Sequence, residues 1–167
     1  TLEYQPKVYL ANDDVFGFEA LVRWNDPLLG TVSPEDFIPL AEETLLINPF
    51  TEWLLETSLK QMHDWDTQGL LVPVSINYAM KNFQNPSIYT TLTHLLDLYQ
   101  IPQNMLEIEV TETSVASSLS TIAKALNQLR EIGLSIAIDD FGTGQASQQY
   151  LLELPIDVIK IDKVFVQ

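Results

Sequence analysis

Five strands predicted in this sequence each end in a residue with a polar or charged side chain. From Leu71 onward, apolar runs typical of strands alternate with segments of helical periodicity, which favours a parallel sheet covered by helices. In a parallel barrel the carboxyl ends of all strands meet on one face, where active sites lie. The predicted fold class is therefore α/β, with a TIM-like (β/α)8 barrel favoured over an open sheet. The residues collected at one face are Glu19, Asn77, Glu109, Asp139, Asp140 and Lys160.

The first two strands differ from the others because only a short turn at Asn12 to Asp14 separates them, which predicts an antiparallel hairpin. A polar loop through Pro27 and Gly30 follows. A closed barrel of this type takes about 250 residues, whereas this chain has 167. We therefore expect a single domain over residues 1–167 that is an incomplete barrel of six strands, lacking the last two. The predicted strands are Leu2–Leu10, Val15–Trp24, Leu71–Asn77, Met105–Val110, Leu134–Asp139 and Val158–Ile161, and the predicted helices are Phe37–Glu43, Asn48–Gln68, Pro86–Tyr99, Leu119–Ile132 and Ala146–Leu154.

Composition excludes several classes of function. The net charge of −15, from 23 acidic and 8 basic residues, argues against binding to DNA or RNA, which requires lysine and arginine against the phosphates. A small anionic substrate remains compatible, because metal ions in an acidic site reverse the local charge. The chain has no cysteine, so it has neither disulfides nor thiolate ligands. It also has no apolar run of the roughly 20 residues that a membrane span needs.

The polar cluster itself suggests a metal site, because carboxylate and amide oxygens suit hard divalent ions. Asp139 and Asp140 are adjacent carboxylates whose repulsion bound cations relieve; a solvated turn is the alternative. Glu19, Leu21 and Arg23 share one face of their strand, as do Lys160 and Asp162. Arg23 could hold a phosphate oxygen or form a structural ion pair, and the two are equally expected.

The stretch from Phe141 to Gly144 is a mobile loop over the site, a phosphate cradle or a plain tight turn. Glu112 could reach a metal, but we favour a role in fixing this loop through backbone N–H groups. Trp24 either stacks on a base or packs. His63 and His94 are expected to be ordinary helix residues.

The chain resembles the EAL domain family of cyclic di-GMP phosphodiesterases. The resemblance rests first on Glu19-Ala20-Leu21 followed by Arg23, and six further segments occur in the family's order. They are Tyr4-Gln5-Pro6-Lys7, the Gly30-to-Glu43 segment, Ile76-Asn77, Glu109-Val110-Thr111-Glu112, Asp139-Asp140-Phe141-Gly142-Thr143-Gly144, and Ile159-Lys160-Ile161-Asp162.

The resemblance implies a TIM-like barrel with an antiparallel first strand, and hydrolysis of cyclic di-GMP to linear pGpG with two Mg²⁺ or Mn²⁺ ions. It implies that Glu19, Asn77, Glu109 and Asp139 hold one metal and that Asp139 and Asp140 hold the other. Lys160 would position and activate the attacking water, with Glu19, Asp139 and Asp140 as the other catalytic residues. Gln5, Leu21, Arg23, Asp140 and Asp162 would contact the nucleotide, and Glu112, Gly142 and Gly144 would order the loop.

The resemblance also implies a homodimer, flanking sensory or GGDEF-type domains, and a location in the cytoplasm or in the cytoplasmic part of a membrane-bound protein. Two features depart from the family pattern: Gln145 to Gln148 replace its usual loop residues, and Tyr78 stands where an aliphatic residue is usual. A further metal-binding Glu and a substrate-contacting Gln of the family fall on strands that this chain lacks, so a polypeptide ending at Gln167 is expected to be inactive alone. The alternative functions are a cyclic di-GMP receptor without catalysis and a regulatory interaction domain.

Overall fold

A curled six-stranded sheet carries the candidate site. The computed structural model describes residues 1–113, 119–143 and 154–166. The strands are β1 (Leu2–Val8), β2 (Val15–Val22), β3 (Trp24–Asp26), β4 (Gly30–Val32), β5 (Val74–Asn77), β6 (Leu106–Thr111), β7 (Ser135–Phe141) and β8 (Val158–Ile161). The main sheet has the order β1-β2-β5-β6-β7-β8, in which β1 is antiparallel to β2 and all other neighbours are parallel. The predicted α/β fold with an antiparallel first strand is confirmed.

Four α-helices accompany these strands in the described ranges: α1 (Pro34–Glu43), α2 (Ile47–Asp66), α3 (Ile88–Tyr99) and α4 (Leu119–Ile132). Helix α1 begins earlier than the predicted Phe37, because the Ser33 hydroxyl accepts a hydrogen bond from the Glu35 N–H and Pro34 occupies the first turn. The helix predicted over Ala146–Leu154 falls mostly on residues that the structure does not describe.

The polar loop predicted through Pro27 and Gly30 is wrong in one respect, because β3 and β4 form a small antiparallel ribbon there. The Asp26 carboxylate accepts hydrogen bonds from the N–H groups of Leu28 and Leu29. Gly30 then adopts a φ of +73°, which a residue without a Cβ reaches at no steric cost. These local bonds close a turn too tight to be recognised from polarity alone.

Contacts across the sheet demonstrate its curl. In a flat sheet, β2 and β8 would lie about 19 Å apart, because four strand spacings separate them. Instead, Lys160 Nζ on β8 lies 3.0 Å from Glu19 Oε2 on β2. The sheet therefore bends toward closure, as part of a barrel does, and so has an inner and an outer face.

The outer face of the sheet packs against the helices and forms the hydrophobic core. Its strands contribute Val74, Ile76, Leu106, Ile108, Ile136 and Ile138, all fully buried, against Leu55, Leu59 and Met62 of α2, Leu92 and Leu96 of α3, and Leu126 and Leu129 of α4. Trp65 adds ring contacts with Tyr4 and Phe18. In the described part of the chain, no helix combines the length and the apolar character needed to cross a membrane.

Candidate active site

The inner face of the sheet collects charged residues because side chains alternate along each strand. On β6, Ile108 and Val110 point into the core, whereas Glu107 and Glu109 lie on the opposite face. Register carries the same alternation to the neighbouring strands, since Glu109 pairs with Asn77 on β5 and with Ala137 on β7. The fold therefore places polar side chains from separate strands at one level of the barrel.

Lys160 joins three of the predicted site residues. Its ammonium group lies 3.0 Å from Glu19 Oε2 and 3.0 Å from Asp139 Oδ2, and it also bonds Glu109 Oε2. The Glu109 side chain is completely buried, and those of Glu19 and Asp139 are largely buried. Asn77 completes the group by donating a hydrogen bond from Nδ2 to Glu19 Oε1 at 2.9 Å. The structure thus brings together five residues from five strands.

Burial and charge oppose each other in this group. Burial alone would lower the pKa of Lys160, but the carboxylates of Glu109, Glu19 and Asp139 raise it above its ordinary value. Burial raises the pKa of Glu109, and the Lys160 ammonium partly offsets that rise. Lys160 is accordingly a cation at neutral pH, and it neutralises part of the surrounding negative charge.

Some of these residues precede the ends of their strands. Glu19 precedes the end of β2 at Val22, and both Asp139 and Asp140 lie within β7, whereas Asn77 ends β5 as predicted. The predicted end of β7 at Asp139 is too early, because the strand continues to Phe141. Backbone pairing continues past them, since their side chains face the polar interior of a curled sheet rather than an apolar core.

Asp140 lies at an irregularity in β7. Its φ is +55°, and the register between β7 and β8 shifts between Ile138 and Phe141. Aspartate tolerates this left-handed conformation, and the Asp140 N–H donates to Asp139 Oδ1 at 2.9 Å. Partial burial, followed by the nearby carboxylates of Asp139 and Asp162, raises the pKa of Asp140. The Asp139 side chain thus holds the backbone at this irregularity.

Glu112 contacts the loop after β7. It is buried, and its Oε2 accepts a hydrogen bond from the Gly142 N–H at 2.8 Å. Gly142 has a φ of +100°, and a Cβ there would lie 2.6 Å from the Phe165 ring. Gly142 is thus required by both its conformation and its surroundings. Gly144 lies outside the described residues.

A cavity of about 410 Å³ opens beside the carboxylate group. It extends from Asn77 and Glu109 past Leu21 to the apolar side chains of Ile38 and Phe50. This volume is in the range of small-molecule sites, which are mostly apolar with few polar groups. The space is therefore suited to a ligand with an apolar part that lies beside the carboxylate group.

Arg23 lines this cavity and already has partners. Its Nε donates to Glu3 Oε2 at 2.7 Å, and its Nη1 donates to the Val22 carbonyl at 2.9 Å. The structural ion pair weighed from the sequence is thus present. Trp24 packs edge-on against Phe37.

The remaining substrate candidates lie near this side of the sheet. Gln5 pairs in register with Glu19 and is exposed. The Asp162 carboxylate accepts a hydrogen bond from the Val164 N–H at 2.7 Å, which begins a short 3₁₀ turn at Lys163–Phe165. Nucleotide contacts by Gln5, Leu21, Arg23 and Asp162 stay predictions.

Sequence reasoning missed an inner polar layer at Lys7, Glu107 and Ser135. Lys7 Nζ lies 2.7 Å from Glu107 Oε1, and Ser135 Oγ donates to Glu107 Oε2 at 3.1 Å. A signal was available, because Glu107 precedes Glu109 by two residues and so shares its face. The predicted site included only residues near the strand ends and therefore not Glu107.

The residues present fit a divalent metal ion. Ligand atoms from Glu19, Glu109 and Asp139 all lie within 4.8 Å of one another. Glu109 Oε1 is buried and has no hydrogen-bond partner among the described residues, which leaves a buried acceptor that a cation can satisfy. Oxygen-only donors of this kind are typical of Mg²⁺ and Mn²⁺ sites.

Fold and site together define an α/β domain with an acidic, metal-type centre on the inner face of a curled sheet. A family model for the EAL domain matches residues 1–167. The chain belongs to the EAL domain family, as the sequence resemblance predicted.

Individual relatives agree with this assignment. The chain is 38% identical to "Cyclic di-GMP phosphodiesterase PA2567" of Pseudomonas aeruginosa, covering 98% of this chain and 28% of that protein. It is 38% identical to "Signaling protein YkoW" of Bacillus subtilis, covering 99% of this chain and 21% of that protein. The chain thus spans between about a fifth and about a quarter of the length of these two curated relatives.

Among solved structures, the chain is similar to "PaMucR Phosphodiesterase, c-di-GMP complex", with a TM-score of 0.92 and 36% identity over 99% of this chain and 68% of the other. It is also similar to "Structure of EAL Enzyme Bd1971 - cAMP and cyclic-di-GMP bound form", with a TM-score of 0.90 and 34% identity, covering 99% of this chain and 46% of the other.

Proposed function

We propose that the protein containing this chain hydrolyses cyclic di-GMP to linear pGpG with the aid of two Mg²⁺ or Mn²⁺ ions. The observation that carries this proposal is the group formed by Glu19, Glu109 and Asp139 around Lys160, next to an open cavity. Relatives named as cyclic di-GMP phosphodiesterases support the choice of substrate.

The chain offers oxygen ligands for both ions. Glu19, Asn77, Glu109 and Asp139 are assigned to one ion, and Asp139 with Asp140 to the other. When bound, such ions supply a hydroxide nucleophile and neutralise charge on the attacking and leaving oxygens. The proximity of the Asp140 carboxylate to Asp139 and Lys160, whose charges act on its pKa, supports this division.

Lys160 acts as a cation and hydrogen-bond donor in this proposal. The carboxylates of Glu109, Glu19 and Asp139 raise the pKa of Lys160 against the effect of burial. Lys160 would position the attacking water and help to activate it through its hydrogen bonds. This assigns Lys160 an orienting and electrostatic role.

The substrate places its phosphates near the carboxylate group and a guanine in the cavity. Water attacks one phosphorus atom, the bond from phosphorus to the 3′ oxygen breaks, and that oxygen leaves as a hydroxyl, which opens the ring to pGpG. Arg23 would exchange its bond with Glu3 for a phosphate oxygen, and Leu21 would contact the base. Gln5 and Asp162 are assigned to further nucleotide contacts, and Glu112 and Gly142 to ordering the loop beside Asp140.

We also propose that the protein works in the cytoplasm as a homodimer with sensory or GGDEF-type domains attached. The greater length of the curated relatives supports additional domains. No contact with DNA or RNA is expected, because the net charge of −15 repels phosphate backbones.

The test is hydrolysis of cyclic di-GMP by the full-length protein with Mg²⁺ or Mn²⁺, followed by chromatography of pGpG. Glu19→Ala and Glu109→Gln should abolish product, whereas Glu56→Gln, on the exposed side of α2, should leave the rate unchanged. Tight binding of cyclic di-GMP without formation of pGpG would indicate that the protein is a receptor and not an enzyme. Neither binding nor product would leave a regulatory interaction domain.

A further inference from the structure

Glu107 is a buried carboxylate that the proposed reaction does not use. Its side chain is 11% exposed, and both of its oxygens are occupied, one by Lys7 and the other by Ser135. Three strands thus contribute to this layer, which lies below the carboxylate group toward the start of β6. The arrangement fixes the position of the Lys7 ammonium.

A contribution to stability is a weak explanation for such a layer. Burying an ion pair removes two charges from water, and well-packed apolar residues at the same positions are often neutral or stabilising by comparison. The inner face could carry apolar side chains at these positions, as the outer face does on the same strands. An explanation must therefore come from what the layer touches.

The layer touches Glu109. This carboxylate lies between two lysines: its Oε2 bonds Lys160, and its Oε1 is 3.8 Å from Lys7 Nζ. The distance from Lys7 to Glu107 is only 2.7 Å, so Lys7 donates to Glu107, and Glu109 Oε1 has no hydrogen-bond partner among the described residues. Among the described residues, Glu107 and Glu109 are the carboxylates recorded within ion-pair distance of Lys7.

We propose that Glu107 is a positioning residue that holds the Lys7 ammonium away from Glu109, so that the Glu109 carboxylate stays available to a divalent ion. This inference rests on the metal site of the proposed function. Without its charge, Glu107 would no longer retain Lys7, and Glu109 would become the ammonium's next partner. A full hydrogen bond from Lys7 would draw the Glu109 carboxylate away and offset its charge, and both effects weaken metal binding.

The net charge of the inner face predicts the same decrease in metal affinity. The four carboxylates and two ammonium groups that these ion pairs join, Glu19, Glu107, Glu109, Asp139, Lys7 and Lys160, have a net formal charge of −2. Glu107→Gln reduces it to −1, whereas the double variant Lys7→Met/Glu107→Gln restores −2 and also removes the competing ammonium.

The experiment is calorimetric titration of the full-length protein with Mn²⁺ in the absence of nucleotide. Mn²⁺ binding at this site is identified as the part of the total binding that the Glu109→Gln variant loses. We expect Glu107→Gln to bind Mn²⁺ about tenfold more weakly than wild type, and the double variant to return to within about threefold of it. Equal affinity in wild type and Glu107→Gln overturns the inference, and so does a double variant as weak as the single one.

Two controls keep the result interpretable. Ser135→Ala frees one oxygen of Glu107 without removing a charge, so it should weaken Mn²⁺ binding, but less than Glu107→Gln does. If Glu107→Gln does not fold, Ser135→Ala is used in its place. An unchanged affinity in Ser135→Ala in that case overturns the inference. A wild type that binds Mn²⁺ without hydrolysing cyclic di-GMP refutes the catalytic proposal alone, whereas a wild type that binds no Mn²⁺ refutes both.

Discussion

Tyr78 carries a hydroxyl group that is buried without a hydrogen-bond partner in the part of the chain that the structure describes. The residue is 5% exposed, and its ring contacts Phe83 with 5.2 Å between the ring centroids. A buried polar group that lacks a partner costs about 1–3 kcal/mol of stability. Tyr78→Phe removes this group and keeps the ring, so we expect the variant to be more stable than wild type by about 1 kcal/mol.

Urea unfolding at pH 7 measures this gain. With a slope of about 2 kcal/mol per molar urea, 1 kcal/mol raises the midpoint by about 0.5 M. Tyr9→Phe serves as the matched control, because Tyr9 is 56% exposed and its hydroxyl can bond water in both states. The control midpoint should stay within about 0.2 M of wild type.

Alkaline pH should widen the difference. Burial, followed by the charges of Tyr89 and Glu52, raises the pKa of Tyr78 above its ordinary value of 10.0. The unfolded chain therefore loses this proton near pH 10 while the folded chain retains it, so the stability linked to Tyr78 is present below pH 10 and lost above it. The advantage of Tyr78→Phe should grow by about 1.4 kcal/mol for each pH unit above 10.

A destabilised Tyr78→Phe protein would contradict this reasoning, because it would mean that the hydroxyl has a partner, such as an internal water molecule. A stability difference that stays constant between pH 9 and pH 11 would contradict the linkage separately. The two measurements thus test the missing hydrogen bond and the buried environment independently.

Three further substitutions test the site and its supports. Gly142→Ala should lower stability by about 1–2 kcal/mol in urea unfolding, because its φ of +100° disfavours a side chain; an unchanged midpoint would show that the loop adapts. Glu3→Gln should lower the KM for cyclic di-GMP by up to about fivefold, since it frees Arg23 from an exposed ion pair; a higher KM would mean that Glu3 orients Arg23. Lys81→Met removes a 2.7 Å hydrogen bond to the Glu42 carbonyl at the end of α1. Because Ile38 of this helix lines the cavity, the KM for cyclic di-GMP should rise about threefold or more while kcat stays constant. An equal fall in kcat would mean that Lys81 takes part in the chemical step.

The order of strands and the pairing of the site residues could be predicted from the sequence because both depend on local patterns. The short connection over residues 9–14 forces the first hairpin, and alternation along β6 places Glu109 opposite the core. Glu19, Asn77, Glu109, Asp139 and Lys160 were all predicted for one site, and the structure brings them together.

Features that depend on distance in space could not be predicted in the same way. The bond between Lys7 and Glu107 joins residues 100 positions apart, and it exists only because the sheet curls. The partner that Arg23 has in Glu3 depends likewise on the pairing of β1 with β2. Local patterns indicate which face a residue occupies, but they do not indicate how far that face bends.

The two faces of the sheet therefore have separate roles. Because of this separation, site residues can be substituted without loss of the fold. Stability comes mainly from the outer face, where apolar strand residues such as Ile76 and Ile108 pack on the helices. The inner face instead concentrates charge, which costs stability unless cations balance it. Neutral substitutions such as Glu109→Gln should consequently remove metal binding while the fold persists, because they reduce repulsion and leave the core intact. A loss of metal binding together with a retained unfolding transition is the result that this division requires.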